Sequence, residues 1–153
     1  MKIPDRKILT AEEIASLSSV YLAEGRKQES WEIKNIEIEN NLLTARIRMK
    51  SVYISPTDTS GFHLTIFSTL EFLSQLTIIY AHVWAGLDKK IREGWMIECS
   101  VTSGQAIRDP NNIEVNMEVI SIKKVGENIL AVTKSRVFDS TGQFEARLKG
   151  FLS

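Results

Sequence analysis

Between Leu64 and Leu87 the chain runs 24 residues, LTIFSTLEFLSQLTIIYAHVWAGL, with one charged side chain, Glu71. No proline interrupts this run and no glycine precedes Gly86, so the spacing predicts a helix of roughly 22 residues, about 33 Å long. Its apolar residues fall nearly all the way round. Such a helix is buried either in a protein core or in a bilayer. Roughly 20 apolar residues are enough to span a bilayer, but Glu71, Gln75 and His82 would then lie at membrane depth with few partners. No Lys or Arg cluster marks a cytoplasmic flank either, and both neighbouring stretches alternate as strands do. The expectation is a core helix enclosed by a sheet, with an acid inside it and no membrane insertion.

Charge and cysteine content narrow the function classes. Nineteen Lys plus Arg balance 19 Asp plus Glu, so no net field favours nucleic acid or an anionic membrane surface, and neither partner is expected. The single cysteine, Cys99, excludes a disulfide within the chain and a zinc site of several cysteines, and so suits a reducing compartment. The polar start MKIPDRKILT lacks the apolar run of a signal peptide, which points to a cytoplasmic protein. At 153 residues the chain is expected to form one domain, 1–153, around one core.

The element order follows from caps and periodicity. Thr10-Ala-Glu-Glu13 reads as a capping box, so a first helix starts at Ala11. Ile14, Leu17, Val20 and Tyr21 form a stripe and Gly25 suits the C′ position, which predicts about four turns laid on the core. Trp31–Ile38 and Leu43–Ile54 alternate around an Asn40-Asn41 turn and read as a hairpin. Beyond the long helix, strands are expected at Trp95–Thr102, Ile113–Ile122, Ile129–Phe138 and Phe144–Leu152, separated by turn-forming sequence. Helix, two strands, long helix, four strands is an α+β order, with an antiparallel sheet wrapped around one long central helix.

That order is the hotdog arrangement, and particular residues carry a closer likeness. Ser51-Val-Tyr-Ile-Ser55, Gly61-Phe-His-Leu-Thr65, Leu73-Ser-Gln-Leu76 and Gly94-Trp95 together resemble the FcoT-type fatty acyl-CoA thioesterases. The resemblance implies a site of two tyrosines and two asparagines near the thioester. Tyr53 matches one tyrosine and Tyr21 the other, while Thr65 and Ser74 stand where that family carries asparagines. A second segment, Glu71-Phe-Leu-Ser-Gln75, is similar to the helix of the β-hydroxyacyl-ACP dehydratases, whose glutamate works with an upstream histidine. Here Thr57 stands at the corresponding upstream position, and His63 lies eight residues before Glu71.

The chemistry of a thioester gives these residues roles. Its carbonyl needs donors aimed at the oxygen that becomes negative, and a helix N-terminus offers free N–H groups with a favourable dipole. Phe62 to Thr65 lie at that end, with His63, Leu64 and Gln75 the expected substrate-binding residues. Glu71 is the candidate general base on water, nucleophile, or acid/base at a β-carbon. A bland reading stands beside each: Glu71 as an ion-pair or hydrogen-bonding group, Tyr53 and Tyr21 as packing aromatics, Thr65 and Ser74 as hydroxyls bonded to their own helix. Trp31, Trp84 and Trp95 read as core or interface anchors.

The sequence-level expectation is a thioesterase acting on acyl-CoA or acyl-ACP, of fatty acyl or polyketide type, with no metal or organic cofactor. A β-hydroxyacyl dehydratase or enoyl-thioester lyase is the second reading, and a non-catalytic acyl-binding module the third. Since hotdog sheets pair their edges across a two-fold axis, a homodimer is the minimum assembly expected, with the site at its interface.

Overall fold

The computed structural model describes residues 6–19 and 29–153. In chain order these form α1 (Ala11–Leu17), β1 (Ser30–Glu39), β2 (Leu42–Ser51), α2 (Ile66–Trp84), β3 (Gly94–Gln105), β4 (Ile113–Val125), β5 (Asn128–Phe138) and β6 (Gln143–Leu152). The six strands make one sheet in the order β1-β2-β4-β5-β6-β3, and every neighbouring pair is antiparallel. This is the hotdog fold, with α2 lying on one face of the sheet.

Alternation decides which face that is. Leu43, Ala45, Ile47 and Met49 of β2 are buried, as are Ile113, Val115, Met117 and Val119 of β4 and Phe144, Ala146 and Leu148 of β6, while the residues between them carry the charges. Register brings Leu43 opposite Met117, Val115 opposite Val137, and Val137 opposite Phe144, so the inward residues form continuous apolar rows. Against these rows α2 sets Phe72, Leu73 and Leu76, each fully buried, so that each stabilises the fold by about 1.5–3 kcal/mol. Register shifts in β1, β3 and β4 bend the sheet around the helix. The shift after Val119 also turns Ile120 outward and Ile122 back toward the core.

The long helix is 19 residues, shorter at both ends than its apolar run. Thr65 caps it, its hydroxyl accepting from the Ser68 N–H at 3.2 Å. At the other end Gly86 takes φ +71°, with Gly86 N–H donating to Val83 O at 3.0 Å and Leu87 N–H to His82 O at 2.9 Å, which closes the helix as a Schellman motif. Its length and hydropathy match those of a membrane span, yet half of that window is buried inside the protein, as in a core helix. Tyr80 anchors it to the β1–β2 turn by donating its hydroxyl to Asn40 O at 2.7 Å.

The first helix departs from expectation. Its capping box forms, with Thr10 N–H donating to Glu13 Oε2 at 2.9 Å and Glu13 N–H to the Thr10 hydroxyl at 3.2 Å. But the helix has seven residues, Ser18 turns extended at φ −79° and ψ 149°, and none of its residues is buried. Ile14 and Leu17 are 52% and 74% exposed, so the predicted four-turn helix with its stripe on the core is not present. The Ser18 hydroxyl donates to Ile14 O and the backbone turns extended there, which ends the helix before the stripe is complete. Val20, Tyr21 and Gly25 of that prediction lie outside the described residues.

Candidate functional site

The chain reaches α2 through a loop that is fastened at several points. Leu64 N–H donates to Ile107 O at 2.8 Å, and Arg108 Nη1 donates to Phe62 O at 3.3 Å. Asp58 ties the loop together: its Oδ1 accepts from Ser60 N–H at 2.9 Å, and its Oδ2 lies 2.9 Å from His63 Nδ1 and 3.7 Å from Arg108 Nη1. An ionised carboxylate only accepts, so His63 donates from Nδ1 and keeps Nε2 as an acceptor when neutral. The Ser60 N–H, joined by His63 and Arg108, holds the Asp58 carboxyl below its ordinary value against the opposing effect of desolvation.

A second acid stands directly at the helix start. Glu29 Oε2 accepts from the Ser68 hydroxyl at 2.9 Å and the Thr65 hydroxyl at 3.3 Å. The first turn of α2 contains no acidic residue of its own, so Glu29, from the segment entering β1, supplies the negative group that the N-terminal dipole favours. Sequence reasoning missed Glu29 because it sits in the polar stretch GRKQES, which carries no periodic or motif signal.

Glu71 lies about 9 Å further along the helix axis from Thr65, at 1.5 Å per residue. Its carboxylate accepts from Trp31 Nε1 at 3.2 Å, and the Trp31 ring packs edge-on against Phe72, with centroids 6.0 Å apart and planes at 79°. Two residues of one segment, Glu29 and Trp31, thus set the polar groups along the first two turns of α2. The expectation of an acid enclosed in the core needs correcting: Glu71 is exposed on the protomer. The 3.6-residue period explains this, since Thr69, Phe72, Leu73, Leu76 and Tyr80 turn to the sheet and position 71 falls between them on the outer side.

The remaining candidates separate into distinct environments. Thr65 is the N-cap, and its hydroxyl proton goes to Glu29. Ser74, half-buried, donates its hydroxyl to Leu70 O at 2.6 Å. The two hydroxyls that stand in place of the asparagines therefore spend their protons inside the protein. Leu64 is buried in the main apolar core, Gln75 is exposed on α2, Tyr53 is half-buried just beyond β2, and Tyr21 lies outside the described residues. His82 is buried near the far end of α2, with Nδ1 donating to Ile78 O at 2.9 Å.

One acid in the neighbourhood is a structural clamp. Asp139 Oδ1 accepts from Thr141 N–H, the Thr141 hydroxyl and Gly142 N–H, and Oδ2 accepts from Arg108 N–H and Asp109 N–H, all within 2.7 to 3.0 Å. Desolvation acts to raise its pKa, but these donors outweigh it and hold the carboxyl at about 2. Asp139 so fixes the backbone of Arg108, whose guanidinium in turn holds the loop before α2. Among the described residues no group of three or more His, Cys, Asp or Glu is placed to hold a metal ion.

No protein-family model matches the chain, and no curated protein matches its sequence. Solved structures do share its fold. A hypothetical thioesterase of Streptococcus pneumoniae, in a structure with coenzyme A, is 10% identical with a TM-score of 0.54, covering 81% of this chain and 89% of that one. A thioesterase of Pseudomonas aeruginosa is 15% identical with a TM-score of 0.54, over 78% and 80%. One of Haemophilus influenzae is 11% identical with a TM-score of 0.52, over 96% and 92%.

Proposed function

We propose that the chain hydrolyses acyl thioesters, with acyl-CoA the favoured form and acyl-ACP the other candidate. The observation that carries this reading is the Glu71 carboxylate, oriented by Trp31 on the outer face of α2, on a fold shared with proteins described as thioesterases. Coenzyme A in one of those structures supports CoA as the carrier.

In the proposed reaction the thioester carbonyl lies against the outer face of α2 and Glu71 takes a proton from the attacking water. A C–O bond forms, the tetrahedral intermediate expels sulfur as the C–S bond breaks, and the proton passes from Glu71 to the thiolate, leaving acid and thiol. Because the Thr65 and Ser74 hydroxyls donate elsewhere, they act in this scheme by holding the helix and its capping carboxylate rather than as donors to substrate. This departs from the FcoT-type arrangement, in which amide groups occupy both positions. Tyr53 and His63 are proposed to line the approach to the carbonyl, and Leu64 to support it from the core. Gln75, exposed on α2, is assigned to the outer rim, and Tyr21 keeps the role that the resemblance implies.

The exposed apolar side chains of Ile66 and Phe67 on α2 and of Trp95, Met96 and Ile97 on β3 support a homodimer. Two copies joined along the β3 edge would cover the outer face of α2 and shield the carboxylate from bulk solvent.

The test is a panel of saturated, β-hydroxy and enoyl thioesters, followed by free-thiol release and enoyl absorbance. Thiol release that falls by a factor of about 10² or more in Glu71→Gln, with the fold retained by circular dichroism, is the expected result. Enoyl interconversion without thiol would assign lyase chemistry instead, and binding without turnover would reduce the chain to an acyl-binding module.

A further inference from the structure

The face of the sheet turned away from α2 carries a small cleft, of about 140 Å³, over β1, β2 and β4 with the end of β5 at its side. Register sets its residues out in two rows. In the first, Glu37 lies opposite Thr44 and Thr44 opposite Asn116. In the second, Asn35, Arg46 and Glu114 line up in the same way, and the row ends at Phe138 of β5. Asn35 reaches this face because of the register shift after Ile33. Strict alternation would turn it toward the core; the extra residue brings it outward beside Glu37 and returns Ile36 inward.

Outward charges on a soluble sheet commonly neutralise one another, and the neighbours of this cleft do so. Glu32 pairs with Arg48 at 2.8 Å and with Lys34 at 3.6 Å. Within the cleft the pattern changes. Arg46 and Glu114 are 3.9 Å apart, but Asn35, Glu37, Thr44 and Asn116 have no side-chain hydrogen bond or ion pair among the described residues. The two amides and the hydroxyl can both donate and accept, and the carboxylate only accepts. Three of the four are short side chains on paired strands, so ordering them against a ligand costs less entropy than ordering lysines would. Phe138 supplies an apolar end. Its ring is held by the Arg136 guanidinium, 4.2 Å from the centroid, and Arg136 Nε donates to Gln143 Oε1 at 3.0 Å. Arg136 also lies opposite Asn116, so Glu37 and Glu114 against Arg46 and Arg136 leave the two rows without net charge.

We propose that this cleft binds a neutral saccharide through one pyranose unit. A sugar ring carries hydroxyls that donate and accept around its rim and apolar C–H groups on its face, which matches free amide, hydroxyl and carboxylate groups set beside a fixed aromatic ring. The balanced charge gives no advantage to an anion or a cation. At roughly 30 Å³ each, the volume admits on the order of five water-sized groups, the scale of one ring rather than of a chain. Neighbouring strands stand about 4.8 Å apart, comparable with the width of such a ring, so groups on two or three strands reach the hydroxyls of one unit. The inference is independent of the thioesterase reading, because the sheet separates this cleft from α2 and Glu71.

Titration of the nitrogen-15-labelled protein with glucose, galactose, mannose and N-acetylglucosamine, followed by amide chemical shifts, tests it. At the ligand efficiency of drug-sized molecules a hexose is expected to bind with a millimolar Kd, and the shifts should gather on β1, β2 and β4. Asn116→Ala and Thr44→Val, both at exposed strand positions, should each weaken binding about two- to tenfold with little change in melting temperature. Thr44→Ser keeps the hydroxyl and should keep the affinity, which separates a lost hydrogen bond from altered packing. Glucose 6-phosphate and glucosamine, as charged probes, should bind no better than the neutral sugars. If no neutral sugar moves these amides, or if Asn116→Ala and Thr44→Val leave the affinity unchanged, the proposal fails. It fails equally if only a charged probe binds. The same holds if these amides shift with protein concentration alone, because a second copy of the chain would then be what covers the face.

Discussion

Replacing Asp139 by Asn removes one negative charge from the turn that clamps Arg108, with almost no change in volume. In the folded protein this carboxyl titrates at about 2, against 3.8 for the free group. A difference of roughly 1.8 units at about 1.36 kcal/mol each corresponds to ~2.4 kcal/mol. Asp139 is partly open to solvent, and screening reduces that to ~1–2 kcal/mol. For a chain of this size the melting temperature should fall by about 3–6 °C at neutral pH. Because the folded-state value is depressed, this stabilisation is complete above the unfolded value and is lost as pH falls through 3.8 toward 2. Urea unfolding of wild type and Asp139→Asn, compared at pH 7 and pH 3, should therefore show the charge-dependent part of their difference shrinking by roughly half. Losing one acceptor oxygen adds a second cost that does not vary with pH. A stability gap of the same size at both pH values would refute the assignment of Asp139 as an ionised clamp.

Two further substitutions probe the helix start. Trp31→Phe keeps an aromatic ring near Phe72 but deletes the Nε1 donor to Glu71; turnover should fall several-fold while the melting temperature changes little, which thiol-release kinetics and calorimetry measure together. Thr65→Ala removes the cap bond to Ser68 N–H and a donor to Glu29, and should cost about 0.5–2 kcal/mol in urea unfolding.

Local signals in this sequence translate well into structure. The Thr10–Glu13 capping box, the Asn40-Asn41 turn and the alternating stretches of β2, β4, β5 and β6 all depend on neighbours a few residues away, and the predicted strands coincide with observed ones to within a few residues. The long apolar run announces α2, and the order of elements leads to the hotdog sheet. What local pattern does not contain is the angle at which α2 sits. An apolar residue on a helix surface and one in its core look alike in the sequence, so the exposure of Glu71, Ile66 and Phe67 becomes visible only once the sheet chooses its side. The stripe on α1 misled for the same reason: Ile14 and Leu17 have helical spacing but stay exposed. Glu29 acts through bonds to Thr65 and Ser68 that tertiary structure alone brings close, while Asp58 meets His63 within one loop whose shape no periodic pattern gives away.

The strand order imposes a schedule on synthesis. Among the described residues β3 pairs only with β6, and β6 begins about 40 residues further along, so at 5–20 residues per second β3 leaves the ribosome roughly 2–8 s before its partner exists. During that interval Trp95, Met96 and Ile97, exposed even in the finished fold, are carried on a strand without its partner. Slower translation across β4 and β5 would lengthen that exposure, and chaperone dependence in the cell should rise with it, even though the finished fold is unchanged.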